Sequence, residues 1–263
     1  MRACSLPLIA LLTSGAVLPA HAGELLINGG FESNGGAGSS LFTGWTLATE
    51  AGSGGNWYAQ TGASSPLNGL PVAAPPGGSF AAMTDDAGPS SQALLQSFLL
   101  PGPGSVTLSF DYFRLDATNG GDQPLPPPPD SLDYNTLNAS GQINQQARVD
   151  ILTAGAAAFD LGAPVLFNAL TTTPNDLTTS SCFPSDCSYQ HLSTDLTAFV
   201  GSAGTYQLRI AEVDDIGPFV FGVDNMSIDF EANSSSAPEP SSILLLVGGL
   251  GALACAARKR SRR

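Results

Sequence analysis

The central sequence predicts an all-β fold, an antiparallel two-sheet sandwich, and three observations predict it. Several segments alternate apolar and polar residues with a period of two, turn residues punctuate them, and no long segment keeps a helical period. In Ser105–Phe113, Val106, Leu108, Phe110 and Tyr112 share one face while Thr107, Ser109 and Asp111 share the other. Arg148–Leu152, Thr205–Ile210 and Phe219–Phe230 read similarly, with turns at Pro101-Gly102-Pro103-Gly104 and Gly201-Ser202-Ala203-Gly204. Roughly two hundred residues bury a substantial core as one domain, and sandwiches commonly reach that size. Between the Ser105–Leu115 and Arg148–Leu152 strands lies an insertion, 116–147, with four consecutive prolines at 126–129. Such a run cannot join a sheet, so the insertion is expected to be an extended, mobile loop.

The two ends are of different character. Arg2, the apolar run Leu6 to Leu18 and the ending Ala20-His21-Ala22 have the order of a secretory signal peptide over residues 1–22. A helix of the folded domain is disfavoured there, because the run is short and contains Pro7 and Pro19. The domain is then expected over residues 23–236. At the other end, residues 237–263 read Ala237-Pro238-Glu239-Pro240, the uncharged span Ile243 to Ala257, and a basic cluster from Arg258 to Arg263. As a helix that span covers only ~22 Å of a hydrocarbon layer ~30 Å thick. It makes a marginal transmembrane helix, whose basic flank keeps the extreme terminus in the cytoplasm and the domain outside.

Charge and cysteine usage narrow the function classes. Of the 22 acidic residues, 21 lie in residues 23–236, against only Arg114, Arg148 and Arg209. Nucleic acid is excluded as a partner, because phosphate binding needs clustered Lys and Arg. Such acidity serves solubility or divalent cations. Cys182 and Cys187, in Cys-Phe-Pro-Ser-Asp-Cys, are the only cysteines of that region. In an oxidising compartment this close pair is expected to form a small disulfide loop, since the spacing is not that of a redox Cys-x-x-Cys and further zinc ligands are not nearby.

Pro238-Glu239-Pro240, the Gly- and Leu-rich span and the terminal Arg/Lys cluster together resemble the PEP-CTERM sorting signal of Gram-negative bacteria that make exopolysaccharide. The resemblance implies recognition and cleavage by an exosortase, a membrane protease, and passage of the domain from the inner membrane to the cell surface or extracellular matrix. A second resemblance runs through the domain. Leu25-Leu26-Ile27-Asn28-Gly29-Gly30-Phe31-Glu32, Gly44-Trp45, Ser91 to Phe98 and Val223-Asp224-Asn225-Met226-Ser227-Ile228 are similar to landmarks of galactose-binding-like jelly rolls, which include many carbohydrate-binding modules. That likeness implies a jelly-roll sandwich with its first and last strands close together, often bridged by structural calcium.

Strand alternation places Asp224 on the face of Met226, Ile228 and Phe230, and an inward carboxylate needs a partner. With few arginines available, a hard cation such as calcium is a reasonable one. The jelly-roll likeness implies Glu32 as a second ligand; the alternative is that Asp224 caps a strand end and Glu32 is simply exposed. Trp57 and Tyr58 adjoin Gly54-Gly55-Asn56, and adjacent strand residues point to opposite faces, so one of them is a candidate for stacking on sugar rings. Trp45, set among Leu41, Phe42 and Leu47, belongs in the core. No catalytic residue is expected: His191 is the domain's single histidine, and the motifs of serine hydrolases, zinc proteases and nucleotide-binding loops are absent. Two-carboxylate glycoside hydrolysis remains conceivable at Asp85-Asp86 or Asp214-Asp215. The leading expectation is a non-enzymatic surface protein, calcium-stabilised and able to bind polysaccharide. The alternatives are an adhesive or structural surface protein without a glycan site and, third, a secreted glycoside hydrolase.

Overall fold

A computed structural model describes residues 23–116, 130–136, 144–172, 188–215 and 219–233. Every regular element among them is a strand, and every pairing is antiparallel. The strands are β1 (Gly23–Glu24), β2 (Thr46–Thr49), β3 (Gly55–Gln60), β4 (Ala81–Asp86), β5 (Ser90–Leu100), β6 (Gly104–Asp116), β7 (Gln146–Thr153), β8 (Val165–Thr171), β9 (Gln190–Asp195), β10 (Gly204–Asp214) and β11 (Phe219–Ala232). One sheet runs β3-β4-β11-β6-β9, with β1 also on β11, and the other runs β2-β5-β10-β7-β8. Residues Ala22–Ala232 form one compact unit. The expected two-sheet jelly-roll sandwich is the fold observed.

The two-residue period explains the core. Leu94, Phe98, Phe110, Val149, Ile151, Leu208, Ile210, Phe221, Met226, Ile228 and Phe230 meet between the sheets in one buried cluster. Trp45 joins them through Phe31, 5.2 Å away between ring centroids, as the sequence predicts. The first and last strands are neighbours: Gly23 pairs with Phe230 and Glu24 with Asp229.

Both sheets are also covered in part on their outer faces, which no alternation pattern announces. Val72 and Ala73 lie over Met83, Phe113, Leu115 and Val220 of the first sheet. Leu132 lies over Ala93, Leu95, Ala211 and Val213 of the second. On the same outer face, beneath the segment 158–160, Arg209 and Asp150 form a fully buried pair, with Asp150 Oδ2 at 2.6 Å from Nη2 and 3.1 Å from Nε.

One described part of the insertion departs from expectation. That stretch, 130–136, is packed rather than free: Leu132 is buried, the Tyr134 amide donates to Ser91 Oγ, and the Tyr134 hydroxyl donates to the Ala51 carbonyl. Asn144 and Gln146 donate side-chain N–H groups to the Ser131 carbonyl, and Asn144 also to that of Asp133, so polar residues satisfy a backbone that covers apolar surface. The prolines at 126–129 lie outside the described residues.

Candidate functional site

Three segments converge just beyond the end of the first strand and beside the middle of the last, and backbone conformation brings them there. Within β11, Asp224 is opposite Asp111 but Ser227 is opposite Ser109, so one extra residue is accommodated. This is a β-bulge, with Asn225 in the left-handed region at φ 50°. The bulge overturns the face assigned to Asp224. A one-residue slip reverses every side chain beyond it, so Met226, Ile228 and Phe230 point into the core, while Asp224 continues the outward side of Val220. Asp224 is nevertheless buried, because the chain around Gly77 lies over it.

The Asn28-Gly29-Gly30-Phe31 turn docks onto this bulge. The Met226 amide donates to the Gly29 carbonyl at 2.9 Å, and a Cβ on Gly29 would stand only 1.7 Å from the Met226 carbonyl oxygen. Only glycine permits that approach. Among the described residues the non-glycine positions with positive φ are Asn28, Phe31 and Asn225, all in these two segments. Strain of this kind concentrates where the surrounding structure holds a site. Phe31 is locked by its burial against Phe42 and Trp45, which leaves Glu32, next in sequence, exposed beside the loop 77–80.

Both proposed ligands sit against that loop. Glu32 Oε1 accepts the Ser79 and Phe80 amides at 2.7 and 2.8 Å, and a Cβ on Gly78 would clash with it. Asp224 accepts the Asn225 amide on Oδ1 at 2.7 Å and the Gly77 amide on Oδ2 at 3.1 Å. Asn225 reaches Asp111 through Nδ2 and turns Oδ1 toward Gly77. Burial pushes the Asp224 carboxyl up to about 7; the two amides oppose this, and the Glu32 and Asp111 charges add to it. The set is therefore hard oxygen, carries negative charge and has no cationic side chain among the influences on Asp224. It suits calcium through Glu32, Asp224 and Asn225 Oδ1. Among the described residues no three acidic, histidine or cysteine side chains already form a metal cage.

Asp111, Asn225, Tyr189 and loop 77–80 were not singled out from sequence. Asn225, a residue tolerant of left-handed backbone within an apolar strand, is the signal that would have revealed the bulge. Burial, with the Asp224 and Asp111 charges, raises the Tyr189 phenol well above its usual value. His191 is a surface residue, with Nδ1 2.8 Å from Asp111 Oδ1.

Trp57 is corrected. It is fully buried, edge-on to Phe221 at 6.3 Å, and cannot stack on a sugar. The alternation of β3 sends Trp57 inward and Tyr58 outward, and Tyr58 is only half-buried. Burial first, and then the charges of Asp85 and Asp86, raise the Tyr58 phenol.

The adjacent acid pairs are split in the same way. Asp85 accepts the amides of Leu67 and Asn68 under the covering loop. Asp86 and Asp214 point between the sheets, where they are neighbours and almost completely enclosed, at 4% and 1% exposure. A glycosidase pair stands about 5 Å or more apart across an open substrate cleft. Neither Asp85-Asp86 nor Asp214-Asp215 forms one.

The remaining assignments lie outside the described residues: the signal peptide 1–22, Cys182 and Cys187, the Pro238-Glu239-Pro240 motif and the transmembrane span.

Fold and terminal sequence together define a class: a jelly-roll β-sandwich followed by a protein-sorting signal. In particular, residues 236–263 match the PEP-CTERM protein-sorting motif. No curated protein matches the chain. Among solved structures it is similar to the module TmCBM61 in complex with β-1,4-galactotriose, at 13% identity and TM-score 0.43, over 79% of this chain and 99% of that one. It is also similar to the Stig cyclase Fisc from Fischerella sp. TAU, at 14% identity and TM-score 0.46, over 81% and 100%. A third similarity is to the K1 cleaved adhesin domain of Lys-gingipain from Porphyromonas gingivalis W83, at 13% identity and TM-score 0.42, over 74% and 94%. At such identities these are likenesses of fold.

Proposed function

We propose that this chain is a non-enzymatic protein exported to the cell surface or extracellular matrix, where its sandwich acts as a calcium-stabilised binding or adhesive domain. The observation that carries the export reading is the PEP-CTERM motif at residues 236–263. An exosortase-type membrane protease is the partner that this signal calls for, with cleavage near Pro238-Glu239-Pro240 and release from a transient inner-membrane anchor. Mass spectrometry of surface material from the native host should find the carboxy terminus near this motif. Replacing Pro-Glu-Pro by Ala-Ala-Ala should leave the intact chain in the membrane fraction. Recovery of the unmutated protein intact through Arg263 from the surface would defeat the proposal.

Calcium at Glu32 and Asp224 is the second component of this reading. It would tie the turn after β1 to the bulge of β11 and compensate the charge of Asp224, which has no cationic side chain among its influences. A ligand held only by the native state stabilises it by about 2.7 kcal/mol at a hundredfold excess over its dissociation constant. Calcium added to chelator-treated protein should therefore raise the melting temperature by several degrees, and Glu32→Ala or Asp224→Ala should reduce the rise. An unchanged melting temperature in the unmutated protein argues for the amide-capped arrangement alone. Polysaccharide binding, of which exopolysaccharide is the nearest candidate for a protein delivered this way, falls to Tyr58 now that Trp57 is part of the core.

A further inference from the structure

The inner face of the sandwich turns polar at one end. β10 carries Leu208 and Ile210 into the core and continues on the same side with Glu212 and Asp214. β5 brings Gln92 opposite Glu212, and β4 of the other sheet brings Asp86. Three strands from both sheets thus place side-chain oxygens in one enclosed region, 4% exposed at Asp86 and completely buried at Gln92 and Glu212. Gly55, paired with Asp86, makes the space: a Cβ there would lie 2.5 Å from Asp86 Cβ and 2.9 Å from Ser90 Oγ.

Three of these oxygens, Asp86 Oδ2, Glu212 Oε1 and Gln92 Oε1, are buried with no hydrogen-bond partner. Gln92 is the informative one because it is neutral. Its Nε2 donates to Glu212 Oε2 at 2.7 Å, the orientation that an ionised Glu212 requires, since the reverse would oppose two acceptors. Its carbonyl oxygen is thereby left as an acceptor beside two carboxyls. The third acid is already engaged: Asp214 accepts Gln145 Nε2 on Oδ1 at 3.0 Å and the Phe219 amide on Oδ2 at 3.1 Å. Positive charge is scarce nearby. Arg148 and Arg209 belong to Asp150 on the other side of the second sheet, and strand register places Arg114 of β6, which has an interaction of its own, alone among the described basic residues on the inner face. The charged influences on Asp86 and Glu212 are other carboxylates.

Orphaned acceptors in a closed interior are costly, and like charges make them more so. A water would donate to two of them and leave the charge uncompensated; a cation answers both demands. We propose that Asp86, Glu212 and Gln92 form a cation site between the two sheets, separate from Glu32 and Asp224. Its oxygen ligands and its seclusion from water suit calcium, which accepts irregular oxygen shells, better than magnesium, which retains water and near-octahedral geometry. The site cross-links β4 to β5 and β10 where the apolar core ends.

Calcium stoichiometry of the chelator-stripped protein tests this independently of the first site. The unmutated protein should bind two equivalents; Glu32→Gln with Asp224→Asn should remove one, and Asp86→Asn with Glu212→Gln the other. These amides preserve size, so a folded variant is expected, and circular dichroism checks it. A second variant keeps the test decisive: Gln92→Glu supplies a third free carboxylate and should tighten calcium at this site at least tenfold. The proposal is overturned if the folded Asp86→Asn/Glu212→Gln protein binds as much calcium as the unmutated one, or if Gln92→Glu leaves affinity unchanged. Loss of an equivalent from this pair alone, with none lost from Glu32→Gln/Asp224→Asn, would uphold the inter-sheet site and remove the other.

Discussion

Trp57→Ala is expected to cost about 3–5 kcal/mol of stability, the range for deleting a buried aromatic side chain and leaving a cavity. Trp57 is completely enclosed in the cluster between the sheets and meets Phe221 edge-on. Its indole N–H has no partner, which makes a packing role the stronger account of the ring. Tyr58→Ala, one residue further along the same strand, should leave the denaturation midpoint nearly unchanged, because that ring faces outward and is half-buried. The same pair of variants separates packing from recognition. If an exopolysaccharide retards the protein in affinity electrophoresis, Tyr58→Ala should weaken the retardation; equal retardation places the glycan site elsewhere. A denaturation midpoint for Trp57→Ala close to that of the unmutated protein would contradict the fold's central packing.

The second large effect is on pH dependence with divalent cations removed. Burial, the hydrogen bond and charge of Asp214, and the charge of Asp85 push the Asp86 carboxyl up to about 9, and burial with the charges of Asp214 and Asp86 raises Glu212 well above the usual carboxylate range. The folded chain then holds protons that the unfolded chain releases. Stability from these groups is full below their unfolded values near 4 and is lost progressively as the pH rises through the folded values, toward 9 for Asp86. Each unit of separation is worth about 1.4 kcal/mol, so the decline should be easy to follow by urea denaturation between pH 5 and about 9. Asp86→Asn, which cannot ionise, should flatten the curve over that window. An equal slope in both proteins would mean that the pair ionises freely in the fold.

Much of the architecture was legible in the sequence because burial on one face imposes a period of two. Val106, Leu108, Phe110, Leu208 and Ile210 announce strands and their inward side at once. The sorting tail was equally legible, since its three parts are contiguous and their order is itself the signal. Even the polar end of the core is written in β10, where Glu212 and Asp214 continue the inward series begun by Leu208 and Ile210. Sequence alone could not say that Asp86 and Gln92 would face them, because their partnership is decided by strand order across two sheets.

The same limit accounts for Asp224 and Trp57. Period-two reasoning assumes an unbroken ladder, whereas one left-handed residue at Asn225 shifts the register and turns Asp224 to the outer face. Residue type marked Trp57 and Tyr58 equally, but β3 sits beside β4 in one orientation, so that Trp57 lies under the opposite sheet and Tyr58 outside. Composition, periodicity and contiguous motifs therefore determined the sandwich, its acidity and its sorting signal from the sequence by itself. Tertiary structure alone decided which acids share an environment, because that depends on long-range pairing and on single-residue irregularities that reverse a face without altering composition.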